Sequence, residues 1–392
     1  MKKSRKLLCM LLALVMVVSL LPVMAFAADE DIAAEEVVPA SVEEISPETA
    51  GIITDVFAKL PNYLVVVKTP WGMLAKGAQV VLYNQNSNTI VASEIATYGV
   101  AVFTKDQRQN AYTMSATWTQ KETGLTFKSA PRISVGKTLD MDVITVHPTF
   151  RIGLKDTDHN AYISGYPDGL VRPNNTLTRA EAAQIIFELM TDESKAQYAK
   201  KTGKLFLDVG KDHWAYEATT LMTKANVLVG MGDGRFDPNA VMTREQFATM
   251  IAQLFMIEIN QPIGGFIFKD LNGGFADKYI SFLYMLGILE GKGDNMFGPK
   301  DSLTRAQAIT VVNKLIGRLP GEGTTSFGAV ADQMKTWPDN MDTTAWYYAA
   351  IQEATNSHDY TLDVNFNTFG DLKGDIFQNI KHPVTERWTL IR

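Results

Sequence analysis

Thr178-Arg179-Ala180-Glu181, Thr243-Arg244-Glu245-Gln246 and Thr304-Arg305-Ala306-Gln307 each open an apolar run of helical period, 65 and then 61 residues apart. Each stands behind a glycine-rich turn: Gly165-Tyr166-Pro167-Asp168-Gly169, Gly230-Met231-Gly232-Asp233-Gly234 and Gly291-Lys292-Gly293-Asp294-Asn295. A period of this size marks one supersecondary unit copied three times, and stacked copies bury a core that a single copy cannot. Ala182, Ile185, Ile186 and Leu189 share one helical face, and Phe247, Met250, Ile251 and Leu254 repeat it. Each copy is entered through an aromatic and an acid: Phe206-Leu207-Asp208 before Trp214, and Phe268-Lys269-Asp270 before Tyr279.

The first copy lacks this entry. Its counterpart stands at the far end of the chain, as Trp337-Pro338-Asp339 followed by Trp346-Tyr347-Tyr348-Ala349-Ala350-Ile351. A C-terminal half-repeat that completes the N-terminal one predicts a closed ring or spindle of three units, with no apolar end left to cap.

Working outward, the chain begins with Lys2, Lys3, Arg5 and Lys6, a mostly apolar stretch and Ala25-Phe26-Ala27, the pattern of a cleaved secretory signal. The single cysteine, Cys9, lies inside it, so the expected mature chain has no disulfide. Removing the four basic residues leaves 33 basic against 43 acidic residues, a formal charge of −10, which argues against nucleic acid as a partner. No later segment is apolar enough to span a bilayer, so no membrane contact is expected after cleavage. An acidic Ala, Glu, Val and Pro-rich spacer follows. Between Tyr63 and Pro148, short β-branched or alternating runs separated by Gly, Asn and Lys clusters predict a small β-sandwich.

Two resemblances follow from these residues. Gly77-Ala78-Gln79-Val80-Val81-Leu82-Tyr83 with Thr97-Tyr98-Gly99-Val100-Ala101-Val102-Phe103 resembles prealbumin-like sandwich domains found beside adhesive modules on bacterial surface proteins. Phe206-Leu207-Asp208, Trp214, the Gly230–Gly234 turn, Phe236-Asp237-Pro238 and Thr243-Arg244-Glu245-Gln246 are similar in order and spacing to the S-layer homology (SLH) family. That resemblance implies a three-pronged helical module holding an exported protein noncovalently to secondary cell wall polysaccharide, often through pyruvylated amino sugars.

The expected fold class is therefore multidomain, a small all-β sandwich followed by an all-α three-unit SLH module arranged as a pseudo-threefold helical bundle. The expected divisions are a signal peptide (1–27), a linker (28–51), the sandwich (52–148), the C-terminal half of repeat 1 (149–200), repeat 2 (201–262), repeat 3 (263–320), and the completing half-repeat with its tail (321–392).

Thr followed three residues later by Glu or Gln is the capping-box pattern, which accounts for Thr178/Glu181, Thr243/Gln246 and Thr304/Gln307. It does not account for Arg179, Arg244 and Arg305, cations placed at the positive end of a helix dipole. An anion shared between guanidinium and free helix N–H groups, such as a pyruvyl carboxylate, would explain them; so would a salt bridge to Asp168, Asp233 or Asp294. Gly165, Gly230 and Gly291 either supply left-handed backbone angles or let a sugar approach the main chain. Trp214, Tyr279 and Trp346 either stack on sugar faces or belong to the core. Asp208, Asp270 and Asp339 either accept sugar hydroxyls or cap the first helix of each unit. All twelve are candidate polysaccharide-binding residues, with the Arg179 and Arg244 sites ahead of Arg305.

No catalytic residues, cofactor or metal are expected. Asp156-Thr157-Asp158-His159-Asn160 opens like a calcium loop but has Ala161 for the turn glycine and Pro167 for the closing glutamate. His159, His213, His358 and His382 show no paired metal-ligand spacing. The reading is thus a secreted, noncatalytic surface protein anchored to anionic wall glycan. Two alternatives share the anchor: a glycan-processing enzyme or scaffold, and a lattice-forming or adhesive protein with surface-protein neighbours.

Overall fold

The computed structural model describes residues 62–364 and 384–392, apart from 72, 85–88, 98, 131–132, 136–140, 157, 204, 257, 260–266, 319 and 322. The expected signal peptide and linker lie outside the described residues. Among the described residues, no helix is long and apolar enough to cross a membrane.

The N-terminal part holds two sheets. In the first, β1 (Asn62–Lys68) lies between antiparallel β4 (Val100–Thr104) and parallel β8 (Met141–Thr145). The second runs β3 (Ile90–Ala96), β2 (Ala78–Tyr83), β5 (Thr113–Thr119), β6 (Thr126–Lys128) and β9 (His147–Pro148), with β7 (Ile133–Ser134) also on β5. Side chains alternate as the pleat requires. Tyr63, Val65 and Val67 point inward from β1, Ala78, Val80 and Leu82 from β2, and Met114, Ala116 and Trp118 from β5. One short helix, α1 (Lys105–Asn110), follows β4 directly, started by a Thr104/Gln107 capping box.

Among the described residues the other α-helices are α2 (Arg179–Leu189), α3 (Asp192–Ala199), α4 (Tyr216–Lys224), α5 (Arg244–Ala252), α6 (Asp277–Met285), α7 (Arg305–Leu315) and α8 (Tyr348–Thr355). They pack in sequential pairs, α2 on α4, α5 on α6 and α7 on α8. The chain ends in an antiparallel hairpin, β10 (His358–Val364) with β11 (Val384–Ile391). Trp388 of β11 is buried against Phe327, with ring centroids 4.4 Å apart.

The three helix pairs meet at a common axis through extended backbone. Leu177 N–H donates to Leu303 O (2.8 Å), Leu303 N–H to Met242 O (3.0 Å), and Met242 N–H to Leu177 O (2.8 Å), a closed circle of three bonds. Isolated bridges Thr178↔Val241, Thr243↔Ser302 and Thr176↔Thr304 flank it. A threonine N-cap must itself be extended, and Thr178, Thr243 and Thr304 have φ between −83° and −86° with ψ near 160°. Three extended caps side by side at an axis pair as strands do.

This corrects the expected fold class. The chain is mixed α and β, and an all-β sandwich followed by an all-α module does not describe it. α1 sits among the strands, while strand bridges and the β10–β11 hairpin belong to the helical part. Nor do sheets and helices have separate cores: one cluster of buried side chains runs from Tyr63 to Ala354, and a second, small one gathers Phe327, Tyr348 and Trp388 under the C-terminal hairpin. Arg151 N–H and Nε donate to Leu254 O (2.6 Å) and Gln253 O (3.0 Å), and Gln120 Nε2 reaches Met285 O (3.2 Å), tying the sheets to the helices. The sequence pattern missed this because each surface looks complete when its own period is read alone.

The half-repeat at the C-terminus does complete the first unit. Tyr162 and Ile163 donate to Ala354 O (both 3.0 Å), replacing the continuous chain that carries Val227 and Leu228 to Met222 O and Ile288 and Leu289 to Leu283 O. Trp337 lies over Gly165 as Phe206 lies over Gly230 and Phe268 over Gly291. Trp337→Ala is expected to cost about 3–5 kcal/mol, because it empties a fully packed site. Thermal unfolding of the variant checks this, with a loss of the whole helical transition and not of one unit alone.

Candidate functional site

Each unit repeats one lock. The carboxylate of Asp208 accepts from Phe236 N–H (2.8 Å) and Asp237 N–H (2.7 Å). Asp270 holds Phe297 N–H (2.9 Å) and Gly298 N–H (2.6 Å) in the same way, and Asp339 holds Val171 N–H (3.0 Å) and Arg172 N–H (2.7 Å). The second residue of each pair is left-handed: Asp237 at φ 60°, Gly298 at 72°, Arg172 at 52°. For Arg172 and Asp237 that conformation costs about 1–2 kcal/mol, which the two charge-assisted bonds offset. The three aspartates therefore brace a turn of their own unit and do not cap its first helix. Burial pushes the carboxyls of Asp208 and Asp270 up, but the two backbone donors outweigh it and hold both below the usual aspartate range.

The braced turn is then gripped by the arginine of the neighbouring unit. Arg179 Nε donates to Phe236 O (2.8 Å) and Nη2 to Val229 O (3.0 Å), with the guanidinium 4.6 Å over the Phe236 ring. Arg244 does the same to Phe297 O (2.8 Å) and Glu290 O (3.2 Å), lying 4.4 Å over Phe297. Arg305 reaches Val171 O (3.0 Å), lies 4.9 Å over Tyr166 and stands 3.6 Å from Glu181 Oε1. Burial lowers the pKa of Arg179 and Arg244, partly offset by nearby aspartates. The salt-bridge alternative is not what forms, since Asp168 pairs with Arg172 (2.6 Å) and Asp233 with Arg235 (2.8 Å).

The first-turn amides are taken as well. Arg179 and Ala180 N–H donate to Ala240 O and Pro238 O (both 3.0 Å). Arg244 and Glu245 donate to Asp301 O and Pro299 O, and Arg305 and Ala306 to Asn175 O and Pro173 O. The capping box is complete in all three helices. The free helix N–H groups expected to share an anion with the arginines are thus already bonded to protein.

The glycines are also explained from within. Gly165, Gly230 and Gly291 do not have left-handed angles; in these turns those occur at Gly169, Gly232, Gly234 and Gly293, and at Asp294 and Asn295. A Cβ on Gly165 would come within 2.0 Å of Trp337, on Gly230 within 2.5 Å of Phe206, and on Gly291 within 2.6 Å of Phe268. An aromatic ring already occupies the close approach that a sugar was expected to use.

The aromatic candidates divide. Trp214 and Trp346 are 59% and 63% exposed, each one residue before the N-cap of its helix. Tyr279 lies inside α6, partly buried, with its hydroxyl accepting from Gln253 Nε2 (3.0 Å). The equivalent residue of the third unit is Phe275, 58% exposed before the Ala276 cap, which the sequence reading missed. Counting back from the cap alanine shared with Ala215 would have found it. His213 stacks on Trp214 (5.5 Å), Tyr347 stands edge-on to Trp346 (5.3 Å) and accepts from Asn174 Nδ2 (3.1 Å), and Lys300 Nζ lies 5.9 Å over Phe275. Each unit thus presents an exposed aromatic ring near a polar or cationic partner.

Of the calcium-like stretch, Asp156 Oδ2 lies 3.3 Å from His147 Nδ1, and the carbonyls of Asp158 and Asn160 accept from Arg318 (3.0 and 2.9 Å). His159 meets His358, from which sequence spacing had separated it, with ring centroids 5.0 Å apart.

Three stretches of this chain, 158–183, 205–248 and 267–309, match the S-layer homology domain. The chain carries three S-layer homology repeats. The first match is the shortest, and its missing part is supplied by the Trp337-to-Thr355 half-repeat. The chain is 33% identical over 213 residues to the "Cellulosome-anchoring protein" of Acetivibrio thermocellus, covering 53% of this chain and 45% of that protein. It is 30% identical over 232 residues to "Cell surface glycoprotein 1" of the same organism, 56% of this chain and 9% of that protein. An "Endo-1,4-beta-xylanase A" from Thermoanaerobacterium saccharolyticum matches at 37% over 116 residues, 29% of this chain and 10% of the enzyme. The chain thus spans less than half the length of these relatives.

Asp208→Asn keeps the shape but turns an amide N–H₂ toward a backbone N–H. It is expected to cost about 1–3 kcal/mol at neutral pH. Because the folded pKa is depressed, the carboxylate's contribution is present above the ordinary aspartate value of about 4 and is lost as pH falls through the lower folded value. Thermal unfolding between about pH 6 and pH 3 should show the wild type converging on the Asn variant at the acid end.

Proposed function

We propose that this protein is a noncatalytic cell-surface protein that its S-layer homology repeats hold to the bacterial cell wall by binding an anionic glycan. The observation that carries this is the set of three exposed aromatic rings, Trp214, Phe275 and Trp346, at one equivalent position of a closed three-unit module. An exposed ring with a polar neighbour offers a flat apolar face to the C–H side of a sugar and a donor to its hydroxyls or acid group. The names of the relatives, a cellulosome-anchoring protein and a cell surface glycoprotein, support a surface role.

The arginines act one step removed in this reading. Arg179, Arg244 and Arg305 fix the turns that lie beside the aromatic rings, and the Asp208, Asp270 and Asp339 braces and the three close-packed glycines do the same. Lys300, exposed beside Phe275, is the cation best placed to meet a glycan carboxylate, although it also pairs with Glu245. The N-terminal sheets are the part displayed. The xylanase matches over too short a stretch to suggest that its chemistry is shared.

Cosedimentation with isolated cell walls tests the reading. Trp214→Ala, Phe275→Ala and Trp346→Ala should each weaken binding about fivefold, corresponding to about 1 kcal/mol per ring. Circular dichroism should be unchanged, since the removed rings are exposed. Equal pelleting with walls stripped of their polysaccharide, or an unweakened triple variant, would sink the proposal.

A further inference from the structure

The seam where the split repeat closes is built around a cluster that anchoring does not use. His159 from the entry of the first unit, Glu353 on α8 and His358 at the start of β10 are all buried. Their potential ligand atoms lie within 4.8 Å of one another. His159 Nδ1 is 3.1 Å from His358 Nε2 and 3.2 Å from Glu353 Oε1, and His358 Nε2 is 3.3 Å from Glu353 Oε2. We propose that His159, Glu353 and His358 form a binding site for a divalent transition-metal ion of the zinc type, which clips the C-terminal hairpin to the seam of the ring.

The edge lengths fit. Zn–N and Zn–O bonds of about 2.0–2.2 Å place the ligands of a tetrahedral ion roughly 3.3–3.5 Å apart. The tautomer fits too: His358 Nδ1 lies 3.0 Å from Asn356 O, and donating there leaves Nε2 as a lone pair facing the carboxylate. Two imidazole nitrogens and the Glu353 carboxylate, Oε1 toward His159 and Oε2 toward His358, then face one another at the spacing that ligands of one ion require. Glu353 Oε1, although within 3.2 Å of His159 Nδ1, makes no hydrogen bond, so that contact is one of proximity and not of donation.

The outer shell is ordered for the same purpose. Trp388 Nε1 donates to Glu353 Oε2 (3.2 Å), Tyr360 stacks on His159 (3.9 Å) and Trp388 stacks on His358 (3.8 Å). These rings shield the cluster from water and lock both imidazoles in orientation. Arg318 Nη1 stands 3.9 Å from Glu353 Oε1, but its donors go to Asn160 O (2.9 Å) and Asp158 O (3.0 Å), leaving the carboxylate to the histidines. Its charge opposes a divalent ion and so sets the affinity.

The ligands come from the three segments that the split repeat must bring together. His358 N–H already donates to His159 O (2.9 Å), and Ala161 N–H to Ser357 Oγ (2.9 Å), across the same seam. An ion here would hold the first and last parts of the module together at the one place where no peptide bond does. This inference stands apart from glycan binding, because its readouts are metal content and stability.

The test uses the full chain, stripped with chelator, dialysed and titrated with Zn²⁺ or Co²⁺ alone. One equivalent should bind, Co²⁺ should give the visible bands of a tetrahedral complex, and Tm should rise by several degrees. His358→Gln and Glu353→Gln should weaken binding at least tenfold, and His213→Gln, on the surface, should not. Arg318→Met should tighten it. Should the ligand variants fail to fold, the wild-type titration decides: no stoichiometric binding by either ion overturns the proposal. So does stoichiometric binding that survives both His358→Gln and Glu353→Gln undiminished.

Discussion

Three backbone hydrogen bonds among Leu177, Met242 and Leu303 set what every other part of the module must do. Because the circle is closed, each unit's position is fixed by both of the others, and no unit is an end. The helix starts must approach the axis in extended form, so a residue able to cap while extended is required at Thr178, Thr243 and Thr304. First-turn amides then face the neighbouring unit and take its carbonyls. The arginine side chains continue the same contact outward, and the aspartates hold rigid what the arginines grip.

Much of this was legible in the residues. The spacing of the Thr-Arg segments revealed the copies, the capping boxes formed where the Thr and the Glu or Gln stand, and the displaced Trp337-Asp339 segment announced ring closure. Arginine was harder. Its cost at a helix start pointed to an anion or an aspartate as partner, whereas the acceptors within the protein are carbonyls of a neighbouring backbone, which leave no trace in sequence. Val229, Phe236, Glu290, Phe297 and Val171 act through carbonyls, which any residue possesses.

The same limit applies to the glycines and to Phe275. Gly230 looks like a turn residue because glycine serves many turns, whereas here its hydrogen faces the ring of Phe206. Phe275 was overlooked for Tyr279 because the third copy has its aromatics four residues apart, and only the cap position tells which is equivalent. The expectation of an all-β part followed by an all-α part failed for a related reason. Period reports which face of an element is apolar, but not which element covers it, and here both kinds cover each other. The cluster at the seam lies further still from any local pattern, since its members are drawn from opposite ends of the module.

The borrowed half-repeat has a consequence for how the protein comes into being. A chain synthesised from its N-terminus presents Gly165 and the Val171 turn long before Trp337 and Asp339 emerge to complete them. Until that moment the first unit lacks its bracing carboxylate, and its Gly165 turn lacks the ring that packs on it. A chain cut short before Trp337 would therefore carry a first unit without its brace and without the ring over Gly165. The segment made late finishes the unit made early.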